Sequence, residues 1–161
     1  MMTQALRFGP ISIPLSQAFF VSKLSYGLVN LKPIRPGHVL VVSRRPVARF
    51  GELTPDEVAD MFAHGQRVGR VIEKLHGADA LTMCIQDGAA AGQTVPHVHL
   101  HIVPRRPGDF DDNDDVYRGL EAAGRQPRID NPERTPRTPE DMAAEATIMR
   151  TELGGWHEPA E

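Results

Sequence analysis

Three histidines alternate with aliphatic residues in His97-Val98-His99-Leu100-His101-Ile102-Val103. On an extended strand, successive side chains point to opposite faces. His97, His99 and His101 then share one face at intervals of ~6.6 Å, and Val98, Leu100 and Ile102 share the other. A row of imidazoles is costly to keep without a use, because each ring has a donor and an acceptor to satisfy and imidazolium charges repel. Two uses compete. His-x-His on a strand is a good pair of zinc ligands, but no Cys or Glu lies close in sequence and the nearest carboxylates are Asp87 and Asp109. The other use is nucleophilic catalysis, in which an imidazole attacks phosphorus and its neighbours move protons and hold phosphate oxygens near neutral pH. The preceding segment, Gly88 to Thr94 (GAAAGQT), reads either as a plain hairpin loop or as a phosphate cradle. Its glycines let the backbone approach an anion, and Gln93 and Thr94 offer hydrogen bonds.

These residues need a scaffold. Gln17 to Ser22 and Tyr26 to Asn30 read as a β-hairpin, and His38 to Ser43 as a further strand after the break at Pro33, Pro36 and Gly37. Thr54-Pro55-Asp56-Glu57 is a capping box with proline at the first helical position. Val58, Met61, Phe62, Val68, Ile72 and Leu75 follow at helical spacing, and Gly77 ends the helix. Ala80 to Gln86 and Val95 to Val103 read as strands joined by a turn. Pro104 to Arg137 is rich in Pro, Gly, Asp and Arg and reads as a loop with one short helix around Val116 to Ala123. Thr138-Pro139-Glu140 starts a last amphipathic helix that runs to Leu153. Strand pairs joined by short turns predict an antiparallel α+β domain rather than βαβ units.

Composition narrows the function. With 18 basic and 21 acidic residues the formal charge is −3, too balanced to predict affinity for nucleic acid or an anionic membrane. The single cysteine, Cys84, forms no internal disulfide and suits a reducing compartment. The start, MMTQALRFGPISIP, lacks the apolar core of a secretory signal, and no run approaches the ~20 apolar residues of a membrane helix. A cytoplasmic, soluble protein with no membrane partner is the expectation.

The motif His97 to Val103 fits the pattern His-φ-His-φ-His-φ-φ, with φ hydrophobic. SYGLVNLKPIRPGHVLVVSRRPVARFGELTPDEVADMF, QDGAAAGQTVPHVHLHIVPRRPGDF and EDMAAEA extend the match. Over roughly Arg7 to Arg150 the chain closely resembles the fragile histidine triad branch of the histidine-triad superfamily. Length and composition predict one domain over residues 1–161, with a mobile loop at about 107–137, where the chain diverges from the family, and a flexible tail at about 154–161. The resemblance implies an antiparallel five-stranded sheet with two helices, the sheets of two subunits joining across a homodimer. The implied activity is cleavage of diadenosine triphosphate to AMP and ADP, assisted by Mg²⁺ or another divalent cation, with no metal held by the protein.

The implied residue roles follow the motif. His99 matches the nucleophile that becomes adenylylated, His97 and His101 the flanking members, and His38 a supporting histidine. Gln93 or His101 helps the leaving group. Asn30 matches a ribose contact and Gln86 a nucleotide contact. Gly92, Gln93, Thr94 and Val95 match the phosphate-holding segment, while Phe8 and Leu28 resemble residues lining the base pocket. A glutamine at position 101 would suit the transferase branch, and PRRPGDF replaces the Trp-Pro-Pro-Gly of the phosphoramidase branch. The alternatives kept are a nucleoside phosphoramidate hydrolase using the same nucleophile and a nucleotide sensor whose active form is the substrate complex.

Several residues have ordinary readings. Asp111, Asp112, Asp114 and Asp115 lack the glycine and terminal glutamate of a calcium loop and read as solvated. Cys84 reads as an inert buried thiol. Tyr117 matches a tyrosine near the substrate entrance or simply packs on the surface. His64 and His76 read as surface residues of the long helix. Pro96 should sit at a strand start or edge. Trp156 and His157 have no counterpart in the family.

Overall fold

A computed structural model describes residues 5–122 and 136–155. A short hairpin comes first: β1 (Leu6–Phe8) and β2 (Ile11–Ile13) pair antiparallel across Gly9, whose φ is +57°. β3 (Ala18–Val21), β4 (Ser25–Val29) and β5 (Val39–Ser43) follow. α1 (Pro55–His76) crosses to β6 (Ala80–Cys84) and β7 (His99–Arg105). α2 (Asp115–Ala122) and α3 (Pro139–Glu152) complete the described chain. The main sheet has five strands in the order β3-β4-β5-β7-β6, with every pair antiparallel.

The helix starts form as their sequences predict. Thr54 Oγ1 accepts from Glu57 N at 3.2 Å and Glu57 Oε2 accepts from Thr54 N at 2.8 Å. Gly77 closes α1 at φ +55°, a left-handed value that glycine adopts freely. Thr138 caps α3 by accepting from Asp141 N. α1 buries Met61, Val68 and Ile72, but its contact stripe is completed by Gly65 and Gly69. A methyl group on these glycines would stand 2.8 Å from Leu100 Cδ2 and 2.6 Å from Leu81 Cδ1. Their bareness lets the helix lie close over the sheet. Phe62, expected on the buried stripe, is 42% exposed.

Other expectations change at the strand ends. β7 starts at His99, not Val95. Pro96 has no N–H to give a ladder, and the His97 N–H turns back onto Val95 O at 2.8 Å. At its other end β7 runs on to Arg105, paired with Ala80. β6 stops at Cys84, so the half-buried Cys84 is terminal rather than mid-strand. The short helix expected near Val116 to Ala123 is α2, a third helix beside the two expected. Before it, Arg105 donates twice to Asp109 and once to Thr82 Oγ1. The rest of the expected loop (123–135) and the tail residues 156–161, with Trp156 and His157, lie outside the described residues.

The sheet separates two apolar clusters. On the helix side Val98, Leu100 and Ile102 pack with Phe19, Val39, Val41, Met61, Val68, Ile72 and the α3 residues Met142, Ala146 and Met149. On the other side Leu28, Leu40, Val42 and Tyr26 pack with Phe8 and Ile13 of the hairpin. Tyr26 donates its hydroxyl to Arg7 O at 2.8 Å, tying that hairpin to the sheet. The alternation through 98–102 therefore sends His99 and His101 to the face that the β1–β2 hairpin borders.

Candidate active site

Four histidines are buried on this face: His38, His97, His99 and His101 are 1%, 0%, 7% and 7% exposed. The partners of each ring determine where its proton sits. Gly9 N can only donate, and it reaches His97 Nδ1 at 3.0 Å; Nε2 of the same ring therefore carries the proton and donates to Ser43 O at 2.6 Å. Both nitrogens of His97 are occupied, so this ring is a brace. His99 donates its Nδ1–H to His97 O at 2.7 Å, which leaves a lone pair on Nε2. No hydrogen bond among the described residues reaches that nitrogen.

A second chain of bonds sets His101. Ile34 N donates to His38 Nδ1 at 3.2 Å, so His38 carries its proton on Nε2 and gives it to His101 Nδ1 at 3.0 Å. His101 then bears its proton on Nε2. That atom is buried and has no partner among the described residues. A buried donor without a partner is a costly feature that a bound acceptor would relieve.

The row of three rings is thus His99, His101 and His38, not His97, His99 and His101. Ring centroids are 4.8 Å apart from His99 to His101 and 5.2 Å from His101 to His38. The turn at Val95–His97 takes His97 out of strand geometry, and its ring runs to Gly9 and Ser43 instead. Burial holds the rings neutral: it pushes His97 and His99 below their ordinary value and His101 down to about 2, with the neighbouring His99 and His38 adding repulsion at His101.

The other expected residues fall around this row. Phe8 sets its ring edge against His99, perpendicular at 4.9 Å, and stands above Leu28 in the same cluster. Asn30 holds its amide nitrogen 3.4 Å from His38 Nδ1 and 3.2 Å from Nε2; with Nε2 donating to His101, the amide can give its hydrogen only to Nδ1, beside Ile34 N, while its Oδ1 accepts from Lys32 N. Gly92 has φ +89°, and a methyl group there would meet Gln86 Nε2 at 2.7 Å, so Gln86 overlies the glycine loop. Gln93 is engaged at both ends of its amide, accepting from Gly88 N at 2.9 Å and donating to Ala48 O at 2.8 Å. In this arrangement it braces the loop rather than presenting a free donor. Val95 packs against the hairpin side, and Thr94 is exposed.

The zinc alternative loses its carboxylates. Asp87 pairs with Arg49 at 3.0 Å and accepts from Phe50 N; Asp109 pairs with Arg105 at 2.8 Å. Among the described residues no group of three His, Cys, Asp or Glu side chains is placed to hold a metal ion. No helix there is long and apolar enough to cross a membrane.

Sequence reasoning missed the β1–β2 hairpin, which brings Gly9 N–H to His97 and Phe8 to His99. Its signal was available as two short apolar runs, LRF and ISI, flanking Gly9-Pro10. His64 and His76 are also more than surface residues. His64 stacks on Phe20 at 4.6 Å, and His76 is half-buried against Gly37.

An antiparallel sheet in which an interior strand, β7 between β5 and β6, presents one imidazole lone pair beside one imidazole N–H is the architecture of the histidine-triad class. Residues 15–108 match the HIT domain family, and the chain belongs to that family. It is 46% identical over 147 residues to the bifunctional bis(5'-adenosyl)-triphosphatase/adenylylsulfatase FHIT of Arabidopsis thaliana, covering 89% of this chain and 82% of that protein. Among solved structures, the Plasmodium falciparum diadenosine triphosphate hydrolase in complex with cyclomarin A superposes with a TM-score of 0.76 at 27% identity, covering 96% and 87% of the two chains. The C. elegans NitFhit protein also superposes with a TM-score of 0.76, at 39% identity over 94% of this chain, which spans 31% of that longer chain.

Proposed function

We propose that this chain is a hydrolase of diadenosine polyphosphates that splits diadenosine triphosphate into AMP and ADP through a nucleotidyl intermediate on His99. The observation that carries the reading is the pair of open groups, the His99 Nε2 lone pair and the unpartnered His101 Nε2–H. His99 Nε2 attacks the α-phosphorus. A nitrogen–phosphorus bond forms, the bond from phosphorus to the bridging oxygen breaks, and its electron pair leaves on ADP. The His101 Nε2–H donates a hydrogen bond to that oxygen as charge builds there. The positive charge gained by His99 is held by the His97 carbonyl at its Nδ1–H. Water then forms a new oxygen–phosphorus bond as the nitrogen–phosphorus bond breaks and its pair returns to His99 Nε2; one of the water's protons leaves on AMP and the other passes to solvent.

In this scheme His97 and His38 act through others: His97 fixes the strand entry and His38 the tautomer of His101. Asn30, Gln86, Gly92, Thr94 and Val95 bind ribose and phosphates, Gln93 holds their loop in place through Gly88 and Ala48, and Phe8 and Leu28 flank the base. Mg²⁺ or a similar divalent cation arrives on the polyphosphate, whose charge it neutralises; among the described residues no ligand cluster is placed to hold it. The enzyme works as a homodimer, its two sheets joined edge to edge, as one domain in the cytoplasm. The open edge strand β6, with exposed Met83 and the neighbouring exposed Phe62 of α1, supports that pairing.

The test is direct. Diadenosine triphosphate is mixed with the enzyme, the reaction is quenched in alkali, and the peptide containing His99 is weighed. An added AMP, with turnover exceeding that of adenosine phosphoramidate, is expected. Product formation without the adduct under single-turnover conditions would exclude the covalent route.

A further inference from the structure

The bonds that set His101 do not stop at His38. The turn from Pro33 to Gly37 joins β4 to β5 and supplies the Ile34 N–H that keeps His38 Nδ1 an acceptor. Two side chains from distant elements hold this turn. His76, the last residue of α1, presses on Gly37: a methyl group added there would stand 2.5 Å from His76 Cδ2 and 2.6 Å from its Nε2. Gly37 has φ +90°, which other residues adopt only with strain. Phe110, beyond β7, places its ring 5.5 Å from the Arg35 guanidinium and 4.9 Å from that of Arg105. Arg105 is itself locked to Asp109 and Thr82.

We propose that His76 is a positioning residue for the hydrolysis proposed above, on which this inference rests: its ring supports the Gly37 turn, and the turn sets the tautomers of His38 and His101. The connection is short, because Gly37 and His38 share a peptide bond. Without the ring beneath it, the turn has room to shift and the Ile34 N–H to leave His38 Nδ1. His38 can then carry its proton on Nδ1, and its Nε2 becomes an acceptor. His101 must answer by protonating its own Nδ1. The nitrogen facing the leaving oxygen then bears a lone pair and repels the charge it should stabilise. His76 thereby governs the leaving group without touching it.

The experiment compares wild type, His76→Ala and His76→Phe on diadenosine triphosphate and on a series of aryl esters of AMP whose phenols increase in basicity. Rates are expressed per active site, counted from the burst of nucleotidyl-enzyme, so a folding defect does not enter. Since hydrogen-bond assistance matters more as the leaving oxygen becomes more basic, His76→Ala should lose about tenfold in the single-turnover rate of nucleotidyl-enzyme formation on the most basic ester. It should be nearly unchanged on the least basic one. His76→Phe, which refills the space, should restore the wild-type dependence. Imidazole ¹⁵N spectra of the unliganded proteins should show His38 protonated at Nε2 in wild type and mixed in His76→Ala. A uniform loss across the esters, failure of the Phe variant to restore the slope, or an unchanged His38 tautomer would overturn the role of His76. A wild type that releases AMP and ADP in a single turnover with no nucleotidyl adduct trapped on His99 would instead overturn the covalent reading beneath it.

Discussion

The two faces of β7 are buried to the same degree and held by different physics. Toward the helices, Val98, Leu100 and Ile102 are 1%, 1% and 0% exposed, and they fit the relief of α1, where Gly65 and Gly69 leave room. Shape and dispersion do the work there, with no direction to satisfy. Toward the hairpin, His97, His99 and His101 are almost as dry, but every ring is aimed by a directed bond. Gly9 and Ser43 hold His97, the His97 carbonyl holds His99, and His38, itself set by Ile34, holds His101. A packed face tolerates small adjustments because contacts are many and weak, whereas a directed face fails when one bond turns around. Stability and chemistry can thus occupy one strand without sharing residues.

The largest test of this division is His99→Asn. Turnover of diadenosine triphosphate should fall by at least about 10³-fold, since a nucleophile has no substitute. The melting temperature should barely move, because the asparagine amide can still donate to the His97 carbonyl. Leu100→Ala, one residue away on the opposite face, should do the reverse. It should cost about 3 kcal/mol of stability, by denaturant titration, while kcat per active site stays within about twofold. A large loss of kcat in Leu100→Ala at full folding would mean that the two faces are mechanically coupled.

The helix-packed face was the more legible of the two. Thr54, Glu57 and Gly77 act locally, within one turn of chain, and the structure repeats what their spacing predicts. The strand alternation likewise sent Leu100 and His99 to opposite sides. Long-range, directed features were hidden. That His97 leaves the row follows from Gly9 N–H, 88 residues away in sequence, and no periodicity reports such a bond. Gln93, read as a phosphate donor, spends its amide on Gly88 and Ala48, a choice that depends on where the turn after β5 passes. Phe62 follows helical spacing but points outward, because Gly65 and Gly69 had already claimed the close contact.

A pair of glycines sharpens the comparison at smaller scale. Gly92→Ala, on the loop leading to the histidines, puts a methyl 2.7 Å from Gln86 Nε2 at φ +89°. Strain of about 2 kcal/mol is expected. Because this loop is proposed to hold phosphates, it should surface as a raised KM. Gly65→Ala meets the flexible end of Leu100 at 2.8 Å with an ordinary helical backbone. Its effect should appear in thermal unfolding alone. Equal KM values for the two variants would remove the glycine loop from substrate binding.

The smallest effect separates the faces by pH. Burial holds His101 near 2 when folded, far below its ordinary 6.5. As pH falls below 6.5 the unfolded chain takes up a proton that the folded chain refuses, so stability is lost on acidification. Between pH 6.5 and 5.5 this costs about 1 kcal/mol for one such histidine. His97 and His99, lowered by burial, act in the same direction. On the helix face the buried titrating group is Glu57, held down to about 2 by Arg45, and its contribution disappears only below its ordinary 4.5. Unfolding followed from pH 8 to 2 should therefore weaken first in the histidine window and then in the carboxylate window. His101→Asn should flatten the first by about 1 kcal/mol and leave the second untouched. Identical slopes for the variant and the wild type would mean that folded His101 accepts a proton as readily as the unfolded chain, and that burial does not hold it neutral.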